Sequence, residues 1–188
     1  MLHTDLFGLS RTMSLGGNLY ALVIVDDFSR YTRTLFLTVK NDTSHVFKRL
    51  AKLLENEKSS KIVSIHGGEF QNEKFEHFCE KHGINHIFSA PRTLQQNGVV
   101  ERKNMSLEEL ARTMLNENSL PKYFWDDAIN TACCVLNRVL IRTILKKTPY
   151  EFFKGRRPIL SHLKVFGCKC FILNNGKESL GKFDAKNG

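Results

Sequence analysis

A chain of 188 residues, 41% hydrophobic and 25% charged, is long enough for one sizeable domain with a real core. Its formal net charge of +9 and pI near 9.4 favour an anionic partner, nucleic acid first, although a solvated basic surface gives the same totals. The five cysteines are odd in number, lack CxxC spacing and follow no apolar leader, which argues against a disulfide scaffold and for a reducing compartment, nucleus or cytoplasm. The longest apolar runs, such as 22–25, are far too short to span a bilayer, so no membrane partner is expected.

Residues 2–7, LHTDLF, read as a short strand carrying Asp5 between apolar neighbours. Residues 18–29 form a stronger strand after the Gly16-Gly17 turn, and 31–39 alternate well enough to be its hairpin partner. Asn41, Asp42 and Thr43 offer N-cap chemistry, and Val46, Phe47, Leu50, Leu53 and Leu54 then recur at helical spacing. KIVSI, 61–65, reads as a short buried strand ended by Gly67-Gly68, and Phe70, Phe75, Phe78 and Cys79 mark the apolar side of a second helix. INHIFS, 84–89, reads as a fifth strand and APRTLQQNG, 90–98, as a polar loop. A long helix follows over about 99–116, with Leu107, Leu110, Ala111, Met114 and Leu115 as its apolar stripe. Pro121 opens another over roughly 122–140, and the final part suggests a helical turn, a basic loop and a terminal strand. Three antiparallel strands followed by α/β alternation predict a mixed five-stranded sheet flanked by helices, a pattern that fits a ribonuclease-H-like core among other folds.

Several residues could carry chemistry. Asp5 is costly to bury in mid-strand unless it is paired or binds a cation; on an edge strand it would simply face water. Asp26 and Asp27, at the end of the second strand, are turn formers by type. Glu101 sits in the first turn of the long helix, on the flank of its apolar stripe. It is either an acid aimed along the sheet or a glutamate favoured there by the helix dipole. Arg92, Gln95, Gln96, Asn97, Arg102, Lys103 and Asn104 surround that helix start and suit phosphate oxygens, as would a merely solvated loop. HFCEKHGINH, 77–86, has no tetrahedral metal-ligand spacing. Cys133-Cys134 read as core, and Cys168 and Cys170, alternating along the expected terminal strand, as small buried hydrophobes.

Taken together, LHTDLFG, VIVDDFSRY, HGGEF, FSAPRTLQQNGVVERKN and LPKYFWDDAINTACCVLNRV resemble the integrase of copia-type LTR retrotransposons, and TPYEFFKGRRP with LKVFGCKCFIL resemble the segment that follows its core. The resemblance implies a ribonuclease-H-like integrase catalytic core over 1–118, with an outer limit near 157, and a helical and short-strand extension over 119–188. It also implies a site of two aspartates and a glutamate holding Mg²⁺ or Mn²⁺ for DNA end trimming and strand transfer. The implied partners are the element's DNA ends, target DNA and further copies of the chain. By motif, Asp5 is the first acid and Glu101 the third, which makes them the implied metal ligands. The second acid belongs directly before HGGEF, and the chain reads VSIHGGEF. The family's spacing of 35 intervening residues before Glu101 falls on Ile65. Either the acid is replaced there or an Arg-Ser-Asp triplet is lost between Ile65 and His66. The expectation is a degenerate fragment of a Pol polyprotein, still of nucleic-acid-binding type, with crippled catalysis; a non-enzymatic nucleic-acid-binding protein or an inert remnant are the alternatives.

Overall fold

The structure is a computed structural model that describes residues 1–8, 10–58, 64–66, 73–87, 98–143 and 145–170. Its elements, in chain order, are β1 (Leu2–Phe7), β2 (Tyr20–Asp26), β3 (Thr32–Leu37), α1 (Thr43–Lys58), β4 (Ser64–His66), α2 (Glu73–His82), β5 (Asn85–Ile87), α3 (Gly98–Glu117), α4 (Trp125–Val139) and α5 (Pro149–Lys154). The strands form one sheet in the order β3-β2-β1-β4-β5, with β1–β2 and β2–β3 antiparallel and β1–β4 and β4–β5 parallel. The mixed five-stranded sheet expected from the element order is therefore present. β1 is a central strand, so Asp5 does not sit on an edge facing water.

Period-2 alternation gives the sheet two apolar faces. Leu2, Leu22 and Ile24 pack with Phe47 and Leu50 of α1 and with Phe75 and Cys79 of α2. Val23 and Val25 pack instead with Val100 and Leu107 of α3 and with Ala128, Ile129 and Ala132 of α4. Residues 21–25 of β2 are all buried because both layers cover that strand. Phe47 and Phe75 meet edge-to-face with centroids 5.6 Å apart, both fully buried. Burying such a side chain contributes up to about 3 kcal/mol. Burial of Cys79 in the same cluster pushes its thiol up to about 11, so it stays protonated. Phe70 lies outside the described residues.

Local chemistry fixes the connections. The chain leaves β1 at Gly8, whose φ of +128° and 2.7 Å approach of a would-be Cβ to the Leu19 carbonyl leave no room for a side chain. At the β2–β3 turn, Asp26 Oδ2 accepts from the Ser29 backbone N–H at 2.9 Å and from its hydroxyl at 2.5 Å, the turn-forming role its type suggests. α4 then clamps β3: Thr32 N–H donates to Asn137 Oδ1 at 2.9 Å, and Asn137 Nδ2 donates to the Thr32 carbonyl at 2.7 Å. Both outward-facing backbone groups of that edge residue are thereby satisfied. α5 begins with a capping box between Thr148 and Glu151 and ends at Gly155 in the left-handed region. Its rings dock on the β2–β3 turn, with Phe153 stacked on Tyr31 at 4.3 Å.

Two expectations for the C-terminal part are corrected. Residues 162–170 form no strand; the chain turns at Gly167, whose φ is +81°, and extends without a ladder. Cys168 and Cys170 are accordingly exposed rather than buried, since among the described residues no sheet face receives them. Cys133, by contrast, is buried against Thr32, while Cys134 is half-buried beside Arg138. No helix among the described residues is long and apolar enough to cross a membrane.

Candidate active site

Asp5 points to the α3 side of β1, since it alternates with Leu2 and Leu6 and shares its face with Phe7, which packs on that cluster. There its Oδ2 accepts a 2.6 Å hydrogen bond from Nδ2 of Asn104. Asn104 belongs to the buried seam of α3, Val100, Asn104, Leu107 and Ala111, whose spacing keeps one side of the helix on the sheet. The other amide atom, Asn104 Oδ1, is buried without a hydrogen-bond partner. Asn104, expected among the phosphate contacts, therefore has its side chain closed off against Asp5.

Glu101 lies one turn before Asn104 in the first turn of α3 and is half-buried. Residues three apart on a helix have Cβ atoms about 5–6 Å apart. Glu101 is thus a near neighbour of the amide that holds Asp5. The sequence identified Asp5 and Glu101 separately; Asn104 bonds the first and lies one turn from the second, and the signal for its burial was its place on the apolar seam.

The third position is a matter of register. β4 runs parallel to β1 with Ile65 opposite Leu2 and His66 opposite His3. Asp5 therefore lies three residues beyond Ile65 along the strand pair, about 10 Å at about 3.3 Å per residue. β4 itself reads Ser-Ile-His and carries no carboxylate. Among the described residues, no three His, Cys, Asp or Glu side chains converge as a metal-binding group. Two hard carboxylates on neighbouring elements suit a divalent cation by donor type, and among the described residues no third acid joins them as a pair of shared ions calls for.

Next to Asp5 on the same face, His3 is buried and its Nε2 lies 2.9 Å from Asp27 Oδ1, which also receives Arg30 Nη1 at 2.8 Å. Burial raises the Asp27 pKa, but the His3 hydrogen bond and the Arg30 charge outweigh it and hold the carboxyl below its usual 3.8. Of the residues expected to meet phosphate, Arg102 is exposed and Lys103 half-buried, while Arg92, Gln95, Gln96 and Asn97 lie outside the described residues. Lys103 shares a shallow pocket with Arg30 and Arg142, two cations that the sequence reading did not single out. A separate cavity of about 510 Å³ opens between the end of β1, α3 and α4, with Phe7, Leu115 and Trp125 in its wall.

The geometry agrees with what the chain is similar to. The model of the integrase core domain matches residues 1–93. The retrovirus-related Pol polyprotein from transposon TNT 1-94 of Nicotiana tabacum is 36% identical over 190 residues, covering 100% of this chain and 14% of that protein. The corresponding polyprotein from transposon RE1 of Arabidopsis thaliana is 35% identical over 155 residues, covering 81% of this chain and 10% of its own length. The chain thus spans a small part of the curated relatives it matches. Among solved structures, the HTLV-2 integrase catalytic core domain in complex with magnesium superposes with a TM-score of 0.58 at 23% identity, over 80% of this chain and 93% of that one. A chain of the simian T-cell lymphotropic virus intasome in complex with PP2A regulatory subunit B56 gamma gives 0.65 at 20% identity, over 87% of this chain and 57% of that one. The fold is that of the ribonuclease-H-like retroviral integrase cores. With residues 1–93 matching its model and the whole length aligning to a transposon Pol polyprotein, the chain belongs to the integrase core domain family.

Proposed function

We propose that this chain is the integrase core of a copia-type retrotransposon that binds nucleic acid, keeps Asp5 and Glu101 of a three-acid site, and has lost efficient DNA end trimming and strand transfer. The observation that carries this reading is the register of β4. The strand enters the site with Ile65 opposite Leu2, three residues short of Asp5, and with no acid in its described length. That offset favours loss of a triplet after Ile65 over replacement at Ile65 itself. An Arg-Ser-Asp insertion at that point would bring its aspartate level with Asp5.

The residues left do not fit a two-ion site. A relative of this fold is described in complex with magnesium, and Asp5 and Glu101 are the ligands that a divalent ion would use here. Two carboxylates without the third hold such ions weakly, because the mutual repulsion of acids is what shared ions normally relieve. Asp5 is instead held by a neutral amide. Nucleic-acid binding needs none of this. It draws on the +9 charge and on cations around the start of α3, with Arg92, Gln95, Gln96, Asn97, Arg102 and Lys103 as its contacts. The functional unit extends to about residue 157, since α4 packs on α3 and β3 and α5 docks on the β2–β3 turn. Self-association and DNA partners, element ends and target, follow the same reading, as does action in the nucleus or cytoplasm.

The test is end trimming and strand transfer on oligonucleotide duplexes with Mg²⁺ or Mn²⁺. No joined product is expected from the chain as it stands. Robust metal-dependent joining that Glu101→Ala abolishes would overturn the loss of catalysis. Failure to bind duplex DNA at low salt would overturn the nucleic-acid reading as well.

A further inference from the structure

The charged residues at the start of α3 divide between two sides of the helix. At about 100° per residue, Val99, Arg102, Lys103 and Ser106 form a stripe about 120° to one side of the buried seam, while Glu101 stands about 90° to the other. The stripe does not face solvent alone. It forms one wall of a pocket of about 230 Å³ whose opposite wall supplies Arg30 from the β2–β3 turn and Arg142 from the segment after α4, over a floor that includes Val25. Four cationic side chains from three separate parts of the chain thus converge on one hollow.

Their charges are incompletely compensated from within the described residues. Arg30 has Asp27 at 2.8 Å. Arg142 donates to the Phe28 carbonyl, which is neutral. Burial pushes the Lys103 amine below its usual 10.5, and the Arg30 charge pushes the same way. The nearby Cys133 thiol is itself raised to about 11 by burial, so it offers Lys103 no negative charge at neutral pH. Like charges gathered around a partly dry hollow raise the free energy of the empty site, and an oxyanion entering it lowers that cost.

We infer that the pocket bounded by Arg30, Arg102, Lys103 and Arg142 binds a phosphate group, and that this phosphate is a backbone phosphodiester of nucleic acid distinct from any phosphate at Asp5 and Glu101. The inference rests on the nucleic-acid reading above. The thickness of α3, about 10 Å with side chains, stands between the two sides. A phosphate held here is therefore an anchoring contact, read without base specificity, and it persists whether or not the acids work.

The experiment measures duplex binding by fluorescence anisotropy between 50 and 200 mM salt, for the whole chain and for two variants, Arg102→Gln and the double variant Lys103→Gln/Arg142→Gln. Each neutralised phosphate contributes about 0.9 to the log–log salt slope. Loss of one contact thus leaves binding about 3.5-fold less sensitive over that fourfold salt range, with equal weakening on unrelated sequences. Circular dichroism checks that the variants fold, and thermal melting of the unmodified chain with added inorganic phosphate probes the pocket without any substitution. A lowered slope in the variants, with stabilisation of the unmodified chain by phosphate, supports the site. Duplex binding with an unchanged slope in folded variants refutes the pocket while leaving the nucleic-acid reading intact. Absence of duplex binding in the unmodified chain refutes both. Stabilisation by inorganic phosphate that the variants lose, with an unchanged duplex slope, assigns the pocket to a free phosphate and overturns its assignment to nucleic acid.

Discussion

If the missing acid was lost with a triplet, two repairs that look equivalent in sequence differ sharply in space. Ile65→Asp puts a carboxylate at the position the family spacing indicates, yet the strand register sets that residue opposite Leu2. It would lie about 10 Å along the sheet from the level of Asp5. Mg²⁺ binds oxygen at about 2.0–2.1 Å, and paired ions sit about 3.5–4 Å apart. An aspartate side chain cannot close such a gap. Inserting Arg-Ser-Asp between Ile65 and His66 advances the strand by three residues and brings the new carboxylate level with Asp5. Calorimetric titration with Mn²⁺ or Mg²⁺ and a strand-transfer assay on the same preparations separate the two. The insertion variant is expected to bind metal measurably more tightly than the unmodified chain and to gain joining activity that Glu101→Ala removes. Ile65→Asp is expected to gain neither. If Ile65→Asp restores metal binding as well as the insertion does, the register argument is wrong. If neither repair changes metal binding, the assignment of Asp5 and Glu101 fails.

Asn104→Ala removes the donor that holds Asp5 and leaves a carboxylate facing the α3 seam; a hydrogen bond to a charged group is worth about 1.5–3 kcal/mol. Urea unfolding is expected to show a loss of that size, and a loss below about 0.5 kcal/mol would mean that the pair adds little. Asn137→Ala frees both backbone groups of Thr32 on the β3 edge, for an expected cost of about 1–3 kcal/mol in the same measurement. An unchanged midpoint would show that water replaces the clamp. Asp27, whose folded pKa is below 3.8, contributes stability that is complete above that value and is lost as pH falls through the folded one. Its side chain is 42% exposed, so the effect is small. Between pH 5 and 3 the melting temperature is expected to fall further in the unmodified chain than in Asp27→Asn, and parallel falls would remove Asp27 from the acid response.

Much of the fold was legible because its signals are local. The continuous apolar run of β2 marks a strand covered on both faces, and the helical spacing of Phe47, Leu50, Leu107 and Ala111 gives each helix its buried side; these residues are found in the two apolar clusters. The ends were less legible. Residues 122–124 read as the start of α4 but form a 3₁₀ turn before Trp125, whose indole N–H donates to the Thr12 carbonyl at 3.0 Å. The expected terminal strand rested on Phe166, Cys168 and Cys170 at alternate positions, yet 162–170 find no partner edge among the described residues, and 171–173 lie outside them. In the site, Asp5 and Glu101 were assigned only through the motifs DLFG and VVERKN that carry the resemblance, and their catalytic roles belong to the proposal. The Asp5–Asn104 bond and the cationic pocket were not legible, because each joins residues remote in sequence: 99 positions separate Asp5 from Asn104. The β4 register was out of reach for the same reason, since a motif count numbers residues along one chain and says nothing of what lies opposite them.

These relations bear on what losing an acid does to such a domain. Neither apolar cluster includes Asp5 or Glu101, so the energy that holds the sheet between its two helical layers does not pass through the two proposed catalytic positions. Three carboxylates brought together without metal repel one another, and removing one relieves that repulsion. Asp5 is then stabilised by an uncharged amide already fixed on the α3 seam. On the proposed reading, loss of the triplet removes chemistry without removing the fold. The cations on the far side of α3 keep their geometry, because Arg30 and Arg142 are placed by the β2–β3 turn and by the segment after α4, not by β4. On the proposed reading, nucleic-acid binding and strand transfer rest on separate groups of residues, so a copy that has lost the second keeps the cations for the first.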